Sequence, residues 1–125
     1  MRPDIEAWRA QSEKEFESAG KTLKMGDYYL TAFLCQQSVE KGLKALFLHK
    51  LKKSAGQTHS LRALGAELGM PKELLSLASG LMPDFSFSRY PDVAGDIPYT
   101  PDTKEIAEQK LSAAKKVLEW IGNQF

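Results

Sequence analysis

Apolar residues recur along this chain at three- and four-residue steps nearly everywhere, the period of a helix with one buried face. In the first segment Trp8, Ser12, Phe16, Ala19 and Leu23 form the stripe, with Glu and Lys on the other faces. Asp4 is placed to cap its start. Lys24-Met25-Gly26-Asp27 ends it: glycine suits the left-handed position past a helix C-terminus, and Asp27 caps the next helix. The second stripe is Tyr28, Ala32, Cys35, Val39, Leu43 and Leu46, predicting a helix from residue 28 to about residue 50, a rod of about 35 Å. Residues 52–57 read as a solvated connection. A short helix over about 60–68 follows, with Leu61, Leu64 and Leu68 in register; Gly69 closes it and Pro71 opens another, carrying Leu74, Leu75, Leu77 and Leu81. Residues 82–100 hold Pro83, Pro91, Pro98 and Gly95 and read as a long irregular loop, a length uncommon inside compact domains. The last helix is predicted to start with Thr100 as N-cap, Pro101 at its first position, and Asp102 and Glu105 in its first turn. Its stripe is Ala107, Leu111, Ala114, Leu118 and Ile121. No segment alternates as a strand does. The pattern predicts an all-α, up-and-down antiparallel helical bundle with three long and two short helices, one domain over residues 1–125.

The second helix departs from ordinary amphipathic patterning. Leu30, Phe33, Leu34, Ala45, Leu48 and Leu51 lie off its main stripe, so it is apolar nearly all round and expects more than one neighbour. Two arrangements meet that expectation: a central position among the other helices, or a contribution to a homodimer interface, two-fold dimers being the commonest oligomers. A polar block interrupts the apolar surface. Gln37, Glu40, Lys41 and Lys44 project into one sector, next to Gln36. Glu40 to Lys44 is the favourable i, i+4 order. The block reads either as a solvated stripe with one ion pair or as a seam where Lys41 or Lys44 meets a phosphate and the glutamines meet a base or sugar.

Composition narrows the function classes. With 17 Lys and Arg against 16 Asp and Glu among 125 residues the net charge is +1, so any anion-binding patch must be local. Cys35 is the only cysteine, which excludes an internal disulfide and a multi-cysteine zinc site and suits a reducing cytoplasm. No apolar run approaches a membrane span, and the polar N-terminus lacks the apolar stretch of a signal peptide. The two histidines and scattered carboxylates give no metal-ligand spacing, and no glycine-rich phosphate loop exists, so no cofactor is expected.

Among the remaining candidates, Arg89 sits in Phe85-Ser86-Phe87-Ser88-Arg89-Tyr90-Pro91-Asp92. A guanidinium binds phosphate in bidentate fashion and Tyr90 stacks on a base; alternatively Arg89 pairs with Asp92 or Glu40 and the aromatics pin the loop. His59 is expected to cap or orient the start of the third helix, and is the one reasonable proton-transfer candidate. His49 suits a helix C-terminus, and Cys35 a buried apolar position.

The run Gln36-Gln37-Ser38-Val39-Glu40-Lys41-Gly42-Leu43-Lys44-Ala45 resembles the Q-Q-x-x-E-K-x-L-K-A signature of HEPN domains. Trp8 on the first helix, the Tyr28 to Phe33 step, Thr58-His59-Ser60-Leu61 and Arg89-Tyr90-Pro91-Asp92 follow in the family's order, over about residues 5–122. The resemblance implies a helical bundle, usually dimeric, linked in prokaryotes to a separately encoded minimal nucleotidyltransferase in toxin–antitoxin or related modules. Many members of the wider superfamily are metal-independent ribonucleases with an Arg-x(4–6)-His motif. Here no histidine follows Arg2, Arg9, Arg62 or Arg89 at that spacing. The expectation is therefore a non-catalytic, cytoplasmic, homodimeric module that binds nucleotide or RNA through Gln37, Glu40, Lys41, Lys44, Arg89, Tyr90 and Asp92, beside a nucleotidyltransferase partner. The alternative is a ribonuclease with an atypical site.

Overall fold

The computed structural model describes residues 2–82 and 102–125, and these form an all-α bundle without strands among the described residues. The long helices are α1 (Pro3–Lys24), α2 (Tyr28–Leu51) and α5 (Lys104–Gly122). Two short ones, α3 (Leu61–Glu67) and α4 (Lys72–Gly80), lie between α2 and α5 in the chain. No helix among the described residues is long and apolar enough to cross a membrane. The irregular loop expected over residues 82–100 lies, past its first residue, outside the described residues.

The turn between α1 and α2 forms as its sequence dictates. Gly26 takes φ +80, a left-handed conformation that costs glycine nothing, and the Asp27 side chain accepts from the Leu30 N–H. Residues about equally far from this turn consequently face each other across an antiparallel pair. Thr22 and Thr31 hydroxyls lie 2.8 Å apart, and the Ser12 hydroxyl donates to the Ser38 carbonyl at 2.6 Å. α5 lies antiparallel to α1 and runs in the same direction as α2. Its C-terminal end meets the same end of α2, where Lys50 donates to the Gln124 side-chain oxygen and Phe125 lies 5.0 Å from the His49 ring.

Two helix starts differ from the sequence expectation. α1 has Arg2 at the N-cap with no side-chain cap bond, and Pro3 occupies the first turn. Asp4 therefore stands inside the helix, pairing with Arg2 at 2.7 Å instead of capping. The proline's fixed φ and absent N–H favour that first position. α5 starts at Lys104, with the Thr103 hydroxyl accepting from the Ile106 N–H, rather than at the Thr100-Pro101 pair. Asp102 precedes the helix and pairs with Lys110; Glu105 keeps its first-turn place.

α2 is central. Cys35, Val39, Leu43 and Leu46 are fully buried, joined in one core by Leu61 and Leu64 of α3, Ala78 of α4, and Ala114 and Val117 of α5. Each buried leucine contributes about 1.5–3 kcal/mol relative to exposure. Three helices crowd together at Gly42: a Cβ there would stand 3.2 Å from the Ser12 hydroxyl and 3.3–3.4 Å from methyls of Leu118 and Ile121. The glycine thus sets how near α1 and α5 can approach. Burial pushes the Cys35 thiol up to about 12, against a smaller opposing effect of Lys110, so it stays an inert apolar filler.

Candidate functional site

The polar block of α2 occupies the sector left between α1 and the approach to α3. Gln37 stands half-buried on this sector, and Glu40 below it keeps only 7% of its side chain exposed. A buried carboxylate requires compensation. Lys44, one turn on, donates to Glu40 Oε2 at 2.9 Å, and His59 Nδ1 lies 3.0 Å from the same oxygen. Burial alone would raise the Glu40 carboxyl; the hydrogen bonds from His59 and Lys44, with their charges, outweigh it and hold the group below its ordinary range. Glu40 is therefore an ionised acceptor, and His59 Nδ1 carries the proton that meets it. The other ring nitrogen, Nε2, belongs to a side chain that is 69% exposed.

The chain reaches this geometry by a short local route. Ser60 takes the N-cap of α3, its hydroxyl accepting from the Ala63 N–H. His59, expected to cap or orient this start, is released from capping and turns back to α2.

Lys41 points away from this triad. It pairs with Glu15 of α1, which also accepts from Gln11 Nε2 at 3.1 Å. The second oxygen of Glu15 is buried without a hydrogen-bond partner. Trp8 closes the other end, its ring 5.8 Å from the Lys44 ammonium, at the outer limit of a cation–π contact.

The structure thus brings Glu40 and Lys44 into direct contact, sets Gln37 on their face and turns Lys41 to α1. Arg89, Tyr90 and Asp92 lie outside the described residues. Both block lysines have carboxylate partners within the chain: Lys41 is balanced by Glu15 and Lys44 by Glu40. Free lysines on a solvated stripe do not describe this site. Lys44 nevertheless has three N–H donors and gives one to Glu40, which leaves capacity for an incoming acceptor. Sequence reasoning overlooked Glu15 and the His59–Glu40 bond. Glu15 was legible in principle: it sits in line with Trp8 and Gln11, and the turn at Gly26 sets that part of α1 opposite Lys41. The His59 bond had no comparable signal, since it depends on the path of residues 52–60. Among the described residues, no group of His, Cys, Asp or Glu is arranged to hold a metal ion.

Comparison with known proteins agrees with this architecture. The archaeal HEPN homologue ST0689 superposes with a TM-score of 0.80 at 31% identity, covering 99% of this chain and 98% of its own. TT1696 from Thermus thermophilus gives 0.79 at 28%, over 99% of this chain and all of that one. A HEPN domain protein from Thermotoga maritima shares the fold at 24% identity, with a TM-score of 0.71 over 94% of this chain and 95% of that one. No curated protein matches the chain. The HEPN domain family model matches residues 5–124, nearly the full length, and the chain belongs to the HEPN domain family.

Proposed function

We propose that this HEPN domain is a binding module for a phosphate-bearing ligand, a nucleotide or RNA, seated on the polar sector of α2. The observation that carries the reading is the convergence of Lys44 and His59 on one nearly buried carboxylate oxygen. Glu40 fixes both cation-capable groups in place before a ligand arrives, and preorganised donors bind an anion at lower ordering cost than free surface lysines. Gln37 supplies amide donors and acceptors for a base or sugar on the same face. Lys41 braces the seam through Glu15. Arg89, Tyr90 and Asp92 enter the proposal on their sequence context, as further phosphate-binding and stacking groups. The module acts as a homodimer beside a nucleotidyltransferase partner in a toxin–antitoxin-like system, a reading supported by the family resemblance.

Titration of the purified protein with labelled ATP, GTP and a short RNA tests the ligand. Saturable binding below millimolar concentration, weakened at least fivefold by Lys44→Ala, is the expected result. No saturable binding by the folded protein removes the reading; unchanged binding in Lys44→Ala removes the residue assignment.

A second reading draws on the His59–Glu40 bond. A carboxylate-oriented imidazole with its other nitrogen in solvent is equipped for general base catalysis. It is the atypical constellation a metal-independent ribonuclease of this chain would use. Incubation with RNA in EDTA decides it: cleavage lost in His59→Ala supports the nuclease, and absence of cleavage leaves the binding module.

A further inference from the structure

The exposed faces of two long helices are charged. α1 turns Glu13, Lys14 and Glu17 to solvent, and α5 turns Lys115, Lys116 and Glu119. The first half of α2 is built otherwise. Residues 28–39, about three helical turns, contain no Asp, Glu, Lys, Arg or His, and Asp27 and Glu40 bracket them. That stretch is not wholly buried: Tyr29 is 57% exposed, Phe33 46% and Leu30 nearly as much, with Met25 of the adjoining turn at 80%. These are four of the six large apolar side chains exposed among the described residues, gathered at and just past the α1–α2 turn. A central place in the bundle accounts for Cys35, Val39 and Leu43, but leaves Leu30 and Phe33 at the surface. An exposed helix face that carries aromatics and lacks charge has the composition of the centre of a protein–protein contact.

We propose that this face is where two copies of the chain meet, α2 against α2, about a two-fold axis at Phe33. The proposal rests on the homodimer reading above and names its contact surface. Charge selects a second copy as the occupant. An uncharged face offers nothing for an oppositely charged partner to read, and it meets its own copy with no like charges opposed. Form agrees: the patch follows one helix, so a two-fold rotation lays the same surface on itself, antiparallel, as an isologous contact requires. Area agrees as well. At about 150–250 Å² per aromatic side chain, Tyr29 and Phe33 together leave roughly 200 Å² in water. That is about a third of what each subunit of a small stable dimer buries. Met25 and Leu30 enlarge the apolar centre, and the half-buried Gln36 and Gln37 form its polar edge. The contact ends before Glu40, so the Glu40–Lys44–His59 group stays outside it in each subunit.

Sedimentation equilibrium, with circular dichroism on each variant, tests the face. The wild-type protein is expected at twice the mass of one chain at micromolar concentration. Leu30→Glu and Phe33→Glu each place an unpaired carboxylate in the contact. Each is expected to weaken the dimer about thirtyfold or more while keeping the helical signal. Ile106→Glu, the same change at an equally exposed residue of α5, is expected to leave the mass unchanged. Cross-linking reads the axis independently of those variants. With a short bis-maleimide, Phe33→Cys is expected to give a covalent dimer and Ile106→Cys only monomer, the native Cys35 being buried. If a glutamate variant fails to fold, the cross-link decides. A monomeric wild type overturns the homodimer reading and this face with it, and leaves the phosphate site standing. A dimer that survives both Leu30→Glu and Phe33→Glu, or that Ile106→Glu dissociates as readily, keeps the homodimer and overturns the face. Failure of Phe33→Cys to cross-link in a dimeric protein overturns the axis.

Discussion

Two faces of α2 hold the molecule together by different means. On one, Cys35, Val39, Leu43 and Leu46 face α1, α3 and α5 with no exposed surface. Their contribution is non-directional and proportional to area. On the other, Glu40 is almost as deeply buried, yet it is stable there only because Lys44 and His59 reach the same oxygen. The first face tolerates any well-fitting apolar group. The second requires particular atoms at particular distances, and the proposed ligand site lies on it.

Substitutions separate the two. The largest effect is expected from Leu43→Ala, which removes a fully buried side chain and leaves a cavity; it should cost about 2–5 kcal/mol in urea unfolding. Gly42→Val tests the packing of α1 and α5 against α2 at this glycine, with an overpacking cost of about 1–3 kcal/mol by the same measurement. Glu40→Ala should cost about 1–3 kcal/mol by stripping a shared acceptor from two donors. It should also loosen the loop that carries His59, visible as faster amide exchange over residues 57–61.

The carboxylate adds a pH signature that the apolar face lacks. The hydrogen bonds from His59 and Lys44 hold the Glu40 carboxyl below the usual carboxylate range in the folded protein. Its ionised form is thus favoured by folding, and the stabilisation is fully present above the unfolded value and lost as pH falls through the folded one. Glu40→Gln should flatten that part of the stability–pH curve below about pH 5, measured by thermal unfolding, while Leu43→Ala should shift the curve without changing its shape. The smallest stability change belongs to Phe33→Ala, within about 0.5 kcal/mol, because its exposed ring contributes little to the core. A larger loss in the separated subunit would show that Phe33 packs structurally within it.

The two faces also differed in how far the sequence revealed them. Leu43, Leu46, Val39 and Cys35 announce themselves by period, since burial of a helical stripe is a property of the stripe. Asp27 and Gly26 were equally plain, because capping and left-handed backbone are decided by residues within one turn. The start of α5 was misplaced for an instructive reason: Thr100-Pro101 and Thr103 both satisfy the local rule, and local chemistry alone does not rank them. Asp4 lost its cap for a similar reason, Pro3 having a stronger claim on the first position.

The polar seam was legible in part. Gln37, Glu40, Lys41 and Lys44 share a sector by arithmetic, and the Glu40–Lys44 pair follows from spacing. That Lys41 turns to Glu15, and that His59 returns from the next helix to the Glu40 carboxylate, did not follow. Helical periodicity, caps and breakers act over a few residues, so the sequence alone determined an all-α bundle, most of its helix boundaries and the identity of its central rod. Which charges neutralise which depends on contacts across 19 and 26 residues of chain, where the direction of each helix and the path of each connection set the distance. Coulomb attraction and hydrogen bonding fall off within a few ångströms, and only the tertiary structure fixed those ångströms.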